Sequence, residues 1–371
     1  MKKFISVLLT FVLLAMLSAC GVTKIDVSSV TSGAVEPSAA PSFTLAYTDE
    51  ETRLMSNYML GGRFLHSGKL LYGSRHDEQG MPYLCRMKFS AGESGMYVRE
   101  TDPVEFGVDA HYLTLFEDSL YYLREDLAAE TTSIVCVPAA FGSTQRPEVL
   151  YPGPCDFLSF CGGRLYFTDA ACHLLSMAPD GSDVRTELAD KAIYYPWLLT
   201  QDLLLYQDDA AGESLRMRYL PTGFEIGISG GPVYSFVLSG SELYFLRGEE
   251  GNMCRLCRAD LNSFLSSFEP SSRPDASFVF KAEEADGCMG PLFSLNGSRV
   301  NASNYQSFAL SAWRTVTDDA WEKGYTAACQ YVAEDFEIFY DYNSEGLITK
   351  MLFYEPSVKR SGYIELYNFG K

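Results

Sequence analysis

The sequence predicts an all-β fold, a β-propeller of four-stranded blades with seven blades favoured. Short apolar runs rich in Leu, Tyr, Phe and Val alternate with turns rich in Gly, Asp and Ser, which is typical of antiparallel strands. A Leu-Tyr core recurs in steps of 49, 45, 40 and 38 residues, the size of a propeller blade rather than of a helical repeat. The tyrosines that mark these steps are Tyr72, Tyr121, Tyr166, Tyr206 and Tyr244.

Each core has companion strands, so that one unit contains four. The strand before the core is, for example, CDFLSFC, the strand after it is LLSMAPDG, and a shorter strand such as VRTEL follows. Four strands that meander through tight turns compose one blade. The five cores are GKLLYGS from Gly68, DSLYYLR from Asp118, GRLYFTD from Gly163, DLLLYQD from Asp202 and SELYFLR from Ser241.

The C-terminal part leaves the number of blades open between seven and six. The run PLFSLNGSRVNAS from Pro291 predicts a weaker sixth unit. Residues 325–371 contain four short apolar runs without a Leu-Tyr core, so they form either the seventh blade or a β-hairpin appendage on a six-bladed ring. The segment FTLAYTD at Phe43 is expected to supply a strand that closes the ring against the last blade. The propeller domain is thus predicted to span residues 43–371.

The unit LYFTDAACHLLSMAPDGSD resembles the YWTD-type propeller of low-density-lipoprotein-receptor relatives. Tyr166 to Asp169 stand where that family has Tyr-Trp-Thr-Asp, and Asp180 and Gly181 stand where it has an Asp-Gly turn. The other units do not keep the Thr-Asp pair, and the sequence has no cysteine-rich receptor modules. The resemblance therefore implies a propeller fold and leaves the function open.

The N-terminal segment predicts export and a lipid anchor. Lys2 and Lys3 precede an uncharged apolar run from Phe4 to Leu17, a signal-peptide layout that is shorter than the roughly 20 residues needed to span a bilayer. The Leu-Ser-Ala-Cys that ends at Cys20 resembles the lipobox of bacterial lipoproteins. This resemblance implies that residues 1–19 are removed and that a lipid on Cys20 holds the protein on the extracytoplasmic side of a bacterial cell membrane. The alternative is a secretory leader followed by a chance cysteine.

Residues 20–42 join the anchor cysteine to the propeller. Their sequence is rich in Ser, Thr, Ala, Val and Pro and poor in aromatic residues, so it predicts a flexible tether. Fully extended, it would reach roughly 75 Å, which is enough to hold the folded domain clear of a lipid surface.

The charge balance argues against a nucleic-acid-binding protein. The formal net charge is −19, and removal of the leader with its two lysines would make it −21. Binding to phosphate backbones or to anionic membrane surfaces requires a basic face, so attachment to a membrane would depend on the lipid at Cys20. We expect a monomer whose other partner is an envelope protein or a glycan.

Two short motifs that suggest chemistry are interpreted as structural. Cys254 and Cys257 have the spacing of a metal or redox pair, but Cys257 occupies a strand position where other units have leucine. Ser229 lies in GISGG, which matches a nucleophile elbow, yet it falls between strands of a β repeat. Buried thiols are expected for the remaining cysteines, with a disulfide between Cys161 and Cys172 as the alternative.

One face of the predicted disc is expected to be acidic and aromatic. The turns after the second strands and the loops that lead into the first strands meet on this face, and both carry carboxylates. Such a face suits cations, basic peptides or sugars through field focusing, cation–π contacts and stacking. The alternative is that the charged turns solvate the disc while the rings pack between blades. The candidate binding residues are Asp109, Asp169 and Asp208 with Tyr112, Tyr195, Trp197 and Tyr234.

Binding is the function that these features favour. An anchor, a tether and a repeat without a catalytic constellation predict a module that recognises an envelope protein, peptide or glycan. The alternative is a hydrolase of the glycosidase or lactonase type with carboxylates at the channel mouth. A structural role within an envelope complex is the third interpretation. No catalytic residue or metal ligand is assigned, and no cofactor is expected beyond a structural calcium ion that the acidic turns could hold.

Overall fold

A computed structural model describes residues 43–76, 81–92, 95–140, 146–249, 253–265, 282–285, 293–296, 299–302, 307–309, 314–316, 328–342, 348–355 and 360–364. The leader, the predicted anchor Cys20 and the tether lie outside these residues. Within the ranges given, no helix is both long enough and apolar enough to cross a membrane.

Antiparallel four-stranded sheets follow one another along the chain, each with its strands in sequence order. In sheet 1 they are β1 Phe64–Ser67, β2 Leu70–His76, β3 Pro82–Gly92 and β4 Gly95–Phe106. In sheet 2 they are β5 Val108–Phe116, β6 Ser119–Asp126, β7 Thr131–Pro138 and β8 Glu148–Tyr151. In sheet 3 they are β9 Cys155–Cys161, β10 Arg164–Asp169, β11 Leu174–Met177 and β12 Arg185–Leu188.

Sheets 4 and 5 share one long strand. Their strands are β13 Ile193–Thr200, β14 Leu203–Asp208, β15 Ser214–Tyr219, β16 Phe224–Ser239, β17 Glu242–Gly248, β18 Cys254–Asp260 and β19 Glu283–Glu284. The first part of β16 pairs with β15, whereas Val233 to Ser239 pair with β17. Thus β16 is the last strand of sheet 4 and the first strand of sheet 5, and each part again has four strands.

Two further four-stranded sheets lie in the C-terminal part of the chain. Sheet 6 contains β20 Phe293–Asn296, β21 Arg299–Ala302, β22 Ser307–Ala309 and β23 Arg314–Val316. Sheet 7 contains β24 Ala328–Val332, β25 Glu337–Tyr342, β26 Ile348–Glu355 and β27 Arg360–Ile364. Sheet 7 packs on sheet 1: the backbone N–H of His66 donates to the Tyr331 hydroxyl at 2.8 Å, and the rings of Phe64 and Tyr340 lie 5.8 Å apart.

The Leu-Tyr cores are the second strands of sheets 1 to 5. Successive side chains of a strand point to opposite faces, and both faces are covered because neighbouring sheets pack against each other. Leucine and tyrosine are therefore buried together at each core, from Leu71 and Tyr72 to Leu243 and Tyr244. The all-β class with antiparallel four-stranded sheets is confirmed.

The closing strand expected at Phe43 is not formed, and a helix follows that segment. Helix α1 spans Asp49–Met59 and begins with a capping box, in which Thr48 and Glu51 each bond the other's backbone N–H. The one strand-like contact described before it is an isolated bridge between Tyr47 and Gly240. The expectation of a strand that closes the ring against the last blade is therefore corrected: the segment makes this single bridge, with Gly240 between the first two strands of sheet 5, before the capping box starts the helix. A shorter helix, α2, spans Leu261–Leu265, and a 3₁₀ turn spans Asp209–Ala211.

Helix α1 lies at the centre, between the first strands of the sheets. Its polar side chains make hydrogen bonds to backbone groups of those strands, which satisfies groups that would otherwise be buried without partners. The loop after α1 continues the contact, since Gly61 and Gly62 accept hydrogen bonds from the backbone of β5. The helix contacts join Thr52 to Leu238, Ser56 to Leu295, Asn57 to Val332, and Tyr58 to Phe157 and Pro196.

Candidate functional site

Aromatic rings surround Tyr58 near the end of α1. The ring centre of Tyr58 lies 5.1 Å from that of Tyr112 and 5.0 Å from that of Trp197. Phe157 continues the cluster, 6.1 Å from Tyr112 and 4.7 Å from Tyr195. We name these five residues the central aromatic cluster. The structure thus brings the candidates Tyr112, Tyr195 and Trp197 together, but around a helix of the same chain rather than around an open mouth.

Three rings of the central aromatic cluster are placed by the same backbone irregularity. Tyr112, Phe157 and Tyr195 have φ of 53°, 56° and 50°, and each is the first of two residues that oppose one residue of the second strand. A bulge of this kind bends the strand and re-aims its side chains. Positive φ is strained for residues other than glycine and persists where surrounding contacts enforce it. Burial raises the pKa of Tyr58 and of Tyr112, so both hydroxyls stay neutral.

Tyr234 and Asp169 have local roles. Tyr234 is 40% exposed on β16, where its ring covers Gly248 so closely that a Cβ there would lie 2.7 Å from it. Asp169 accepts hydrogen bonds from the N–H groups of Ala171 and His173, both at 2.9 Å, and so organises the turn after β10. Its carboxylate is therefore engaged by its own turn.

The start face is the side of the sheets at which the first strands begin and the second strands finish. The end face is the opposite side. Several of the carboxylates expected to make the start face acidic are paired with basic side chains. Asp208 is only 3% exposed and lies 2.9 Å from Lys191 Nζ and 3.1 Å from Arg216 Nε. Asp208 is therefore a buried ion-pair residue rather than an exposed ligand-binding group. Further pairs join Arg124 to Glu105, Arg218 to Asp190, Arg247 to Glu249 and Glu284, and Arg258 to Glu283.

The candidate Asp109 belongs to a polar cluster on the start face. One guanidinium nitrogen of Arg63 donates to both oxygens of Asp109, at 2.6 and 2.9 Å, and Ser74 Oγ donates to it at 2.6 Å. His111 Nε2 lies 3.5 Å from the Asp109 carboxylate and 3.3 Å from that of Glu125. One donor atom from each of Asp109, His111 and Glu125 lies within 4.8 Å of the other two.

Neighbouring charges set the protonation states in this cluster. Burial acts to raise the pKa of Asp109, but the charges of Arg63 and His111 outweigh burial and lower it. Burial and the Arg63 charge lower the pKa of His111 by more than the two carboxylates raise it. Desolvation raises the pKa of Asp156, which lies near His111 and Glu125. At neutral pH, Asp109 is therefore an anion and His111 is neutral.

This donor set does not fit a structural calcium ion. Calcium in proteins takes oxygen ligands, whereas one of the three converging donors is an imidazole nitrogen. A cation would also have to displace Arg63, which already binds both oxygens of Asp109. The cluster is better suited to proton chemistry, because a neutral His111 between two carboxylates can take up a proton.

We expect the protein to lose stability as the pH falls from about 7.5 to about 5.5, in part through His111. A histidine whose pKa is lower in the folded chain binds fewer protons when folded, so stability is lost as the pH falls through its ordinary value of 6.5. The variant His111→Gln should lose less stability over this interval. Urea unfolding of both proteins at the two pH values measures the difference, and equal losses would contradict the prediction.

A cavity of about 360 Å³ opens on the end face, between α1 and the first strands of sheets 1 to 4 and 7. Its lining is mainly apolar and aromatic with a few polar groups, which is the usual composition of a ligand site. Leu54 of α1 is 49% exposed and lies at its edge. Other lining residues are Glu50, Leu65, Leu115, Ser159, Phe160 and Trp197.

Ser159 is a buried polar residue in the lining of this cavity. It is 7% exposed, and its Oγ has no hydrogen-bond partner among the described residues. Leaving a buried hydroxyl unpaired costs about 1–3 kcal/mol, which a ligand could recover by bonding to it. Ser159 is not among the site residues predicted from the sequence. The sequence feature that could have indicated Ser159 is a single serine inside the mainly apolar strand CDFLSFC.

The Cys254–Cys257 pair and the serine of GISGG have structural roles. Cys254 and Cys257 are fully buried on β18, and neither they nor Cys161 and Cys172 are in a disulfide. Burial raises the pKa of Cys257 to about 11, so the thiol is protonated at neutral pH and is a poor nucleophile. Ser229 lies inside β16, not on a strand-to-helix turn, and its hydroxyl donates to a nearby backbone carbonyl at 2.6 Å.

Known structures resemble this chain in fold. The similar structures include a prolyl endopeptidase (TM-score 0.51, 10% identity, 86% of this chain and 52% of that chain). The WD40 β-propeller domain of Doa1 has a TM-score of 0.49, 11% identity, and coverage of 86% of this chain and 98% of that chain. A puromycin hydrolase has a TM-score of 0.46, 13% identity, and coverage of 85% and 62%.

The similarity to these structures supports the fold and no activity. This chain spans about half the length of the prolyl endopeptidase, and at 10% identity the likeness carries no activity with it. No protein-family model and no curated protein sequence matches the chain.

Proposed function

We propose that this chain is a lipid-tethered binding module of a bacterial cell envelope, built on a seven-bladed propeller. The ring is supported by sheets 1 to 7, each with four strands, and by hydrogen bonds between the first and the last of them. Export and anchoring are supported by the apolar leader and by the lipobox-like residues that end at Cys20. The partner is an envelope protein, peptide or glycan.

Helix α1 occupies the centre of the ring of sheets, and this observation supports a binding role. A propeller hydrolase with carboxylates at its channel mouth needs an open polar centre, whereas Tyr58 and the rings packed on it fill this one. Beside the helix remains a mainly apolar cavity with few polar groups, which suits recognition better than hydrolysis.

Replacing the anchor cysteine tests the location. In a bacterial host, we expect Cys20→Ser to move the protein from the membrane fraction to the soluble extracytoplasmic fraction, because acyl chains supply about 0.8 kcal/mol of membrane affinity per buried CH₂. Cys172→Ser, which changes a half-buried cysteine of the folded domain, should stay in the membrane fraction. Immunoblots of the fractions and the mass of the N-terminal peptide provide the readout. Membrane retention of a Cys20→Ser chain from which the leader has been removed, as the mass of its N-terminal peptide would show, would overturn the proposed anchor.

Binding is tested on the same full-length chain in intact cells. A cross-linker is expected to couple it to one recurrent envelope partner, identified by mass spectrometry. The competing result is turnover of glycoside or lactone substrates by the purified chain, abolished by Glu125→Gln at the His111 cluster. That result would replace the binding module with a hydrolase that works on the start face.

A further inference from the structure

On the end face, the turns between first and second strands carry acidic side chains that form no ion pair among the described residues. On the start face, several carboxylates are held by arginine or lysine at 2.6–3.2 Å, whereas others such as Glu130 are exposed. Elsewhere on the end face, Asp183 of the β11–β12 turn is paired with Arg164 and Arg185. On the end face, the turns between first and second strands carry five exposed acidic residues and one lysine, Lys69. Among the described residues, none of these five forms an ion pair. They are Glu117, Asp118, Asp202, Glu334 and Asp335.

The first turn of α1 adds acidic residues on the same side. Asp49 and Glu50 are exposed there, and Glu50 lines the cavity. Arg53 and Asp335 both act on the nearby Tyr331, so one cation and one anion offset each other at that edge. The opening of the cavity therefore lies in a negative field, which favours cationic ligands over anionic ones.

Inside the opening the lining changes from acidic to aromatic and aliphatic. Trp197 and Phe160 are among the lining residues, and aromatic rings attract cations through their quadrupoles. Leu65 and Leu115 offer aliphatic surface on which a methylene stem can pack. Ser159 Oγ, nine-tenths buried and without a partner among the described residues, can accept a hydrogen bond from a charged N–H. This is an independent sign of a ligand, because it does not depend on the acidic turns.

We propose that this end-face cavity binds a lysine or arginine side chain presented by a partner protein. The inference rests on the proposed binding function and names the partner's chemistry. The acidic turns draw the cation in, the leucines pack along its stem, and the rings and Ser159 receive its charged head. A carboxylate ligand would be repelled by the same field, and a neutral sugar would gain nothing from it.

The test uses the full-length chain in non-ionic detergent and a fluorescent hexalysine peptide, with binding followed by anisotropy. We expect saturable binding that weakens with salt. Ser159→Ala should weaken it on the order of tenfold, since a hydrogen bond to a charged group is lost. Because that variant also removes an unpaired buried hydroxyl, its melting temperature should not fall. Glu50→Gln should weaken binding about threefold, in the range measured for exposed ion pairs.

Glu130→Gln is the matched control, because Glu130 is an exposed glutamate in the β6–β7 turn of the start face. It should bind hexalysine like the wild type. Equal weakening by Glu130→Gln and Glu50→Gln would show non-specific attraction and overturn the proposal, as would unchanged affinity in Ser159→Ala. Tighter binding of hexaglutamate or chitotriose than of hexalysine would also overturn it.

The outcomes separate this inference from the proposed function. A recurrent partner in cells without hexalysine binding in vitro would end the cavity proposal and leave the binding module intact. Absence of a partner together with site-specific hexalysine binding would end the envelope role and leave the cavity chemistry standing.

Discussion

Tyr58→Ala is expected to lower the free energy of unfolding by about 3–5 kcal/mol, the usual cost of deleting a large buried ring. Tyr58 is 5% exposed and packs on Tyr112 and Trp197. Its hydroxyl also donates to the backbone carbonyl of Pro196 at 3.0 Å, which lies on the first strand of sheet 4. Truncation would leave a cavity in the central aromatic cluster and a carbonyl without its donor.

Tyr58→Phe separates the ring from the hydroxyl. It keeps the packing and removes the hydrogen bond, so a smaller loss of about 1–2 kcal/mol is expected. Urea unfolding of the full-length chain, followed by circular dichroism, measures both variants. If Tyr58→Ala were no less stable than Tyr58→Phe, α1 would be a surface attachment and not part of the core.

Gly62→Ala is expected to destabilise the protein by about 2–4 kcal/mol, since a backbone clash adds to the cost of a left-handed conformation. Gly62 has φ of +58°, and a Cβ there would lie 2.5 Å from the Cα of Tyr112. The contact cannot relax easily because Leu113 N–H donates to the Gly62 carbonyl at 2.9 Å. The loop after α1 and the bulge at Tyr112 would have to move apart.

Gly68→Ala is the matched control for the conformational part. Gly68 has φ of +60°, but a Cβ there would meet nothing within 4 Å. Its variant should lose only about 1 kcal/mol, the conformational cost alone. Thermal and urea unfolding of the two variants isolate the steric contribution. Equal losses would show that the approach of Gly62 to β5 is unimportant for stability.

The repeating unit was predictable because it leaves a period in the sequence. Tyr72, Tyr121 and their counterparts recur because sheets 1 to 5 each bury the same position of the second strand. The strand alternation and the Gly and Asp turns are local properties, so they can be read without knowing which sheets meet. The placement of Cys257 as a buried core residue followed from the same register.

The central helix could not be predicted in the same way. Its capping box at Thr48 and Glu51 is local and was open to recognition, but its packing face is not conventionally apolar. Thr52, Ser56 and Asn57 look like surface residues, yet they are buried because strand backbones distant in sequence supply their hydrogen bonds. The periodicity of apolar residues along a helix does not reveal such hydrogen-bond partners.

The sequence by itself determined an all-β repeat of four-stranded units and the positions of its core tyrosines, because these depend on contacts between neighbours along the chain. Only the tertiary structure decided which polar and charged side chains have partners. Asp109 is bound by Arg63, 46 residues away, and Asp208 by Lys191, whereas the hydroxyl of Ser159 has no described partner. Charge pairing is a long-range property, and it moves the candidate ligand site from the start face to the cavity on the end face.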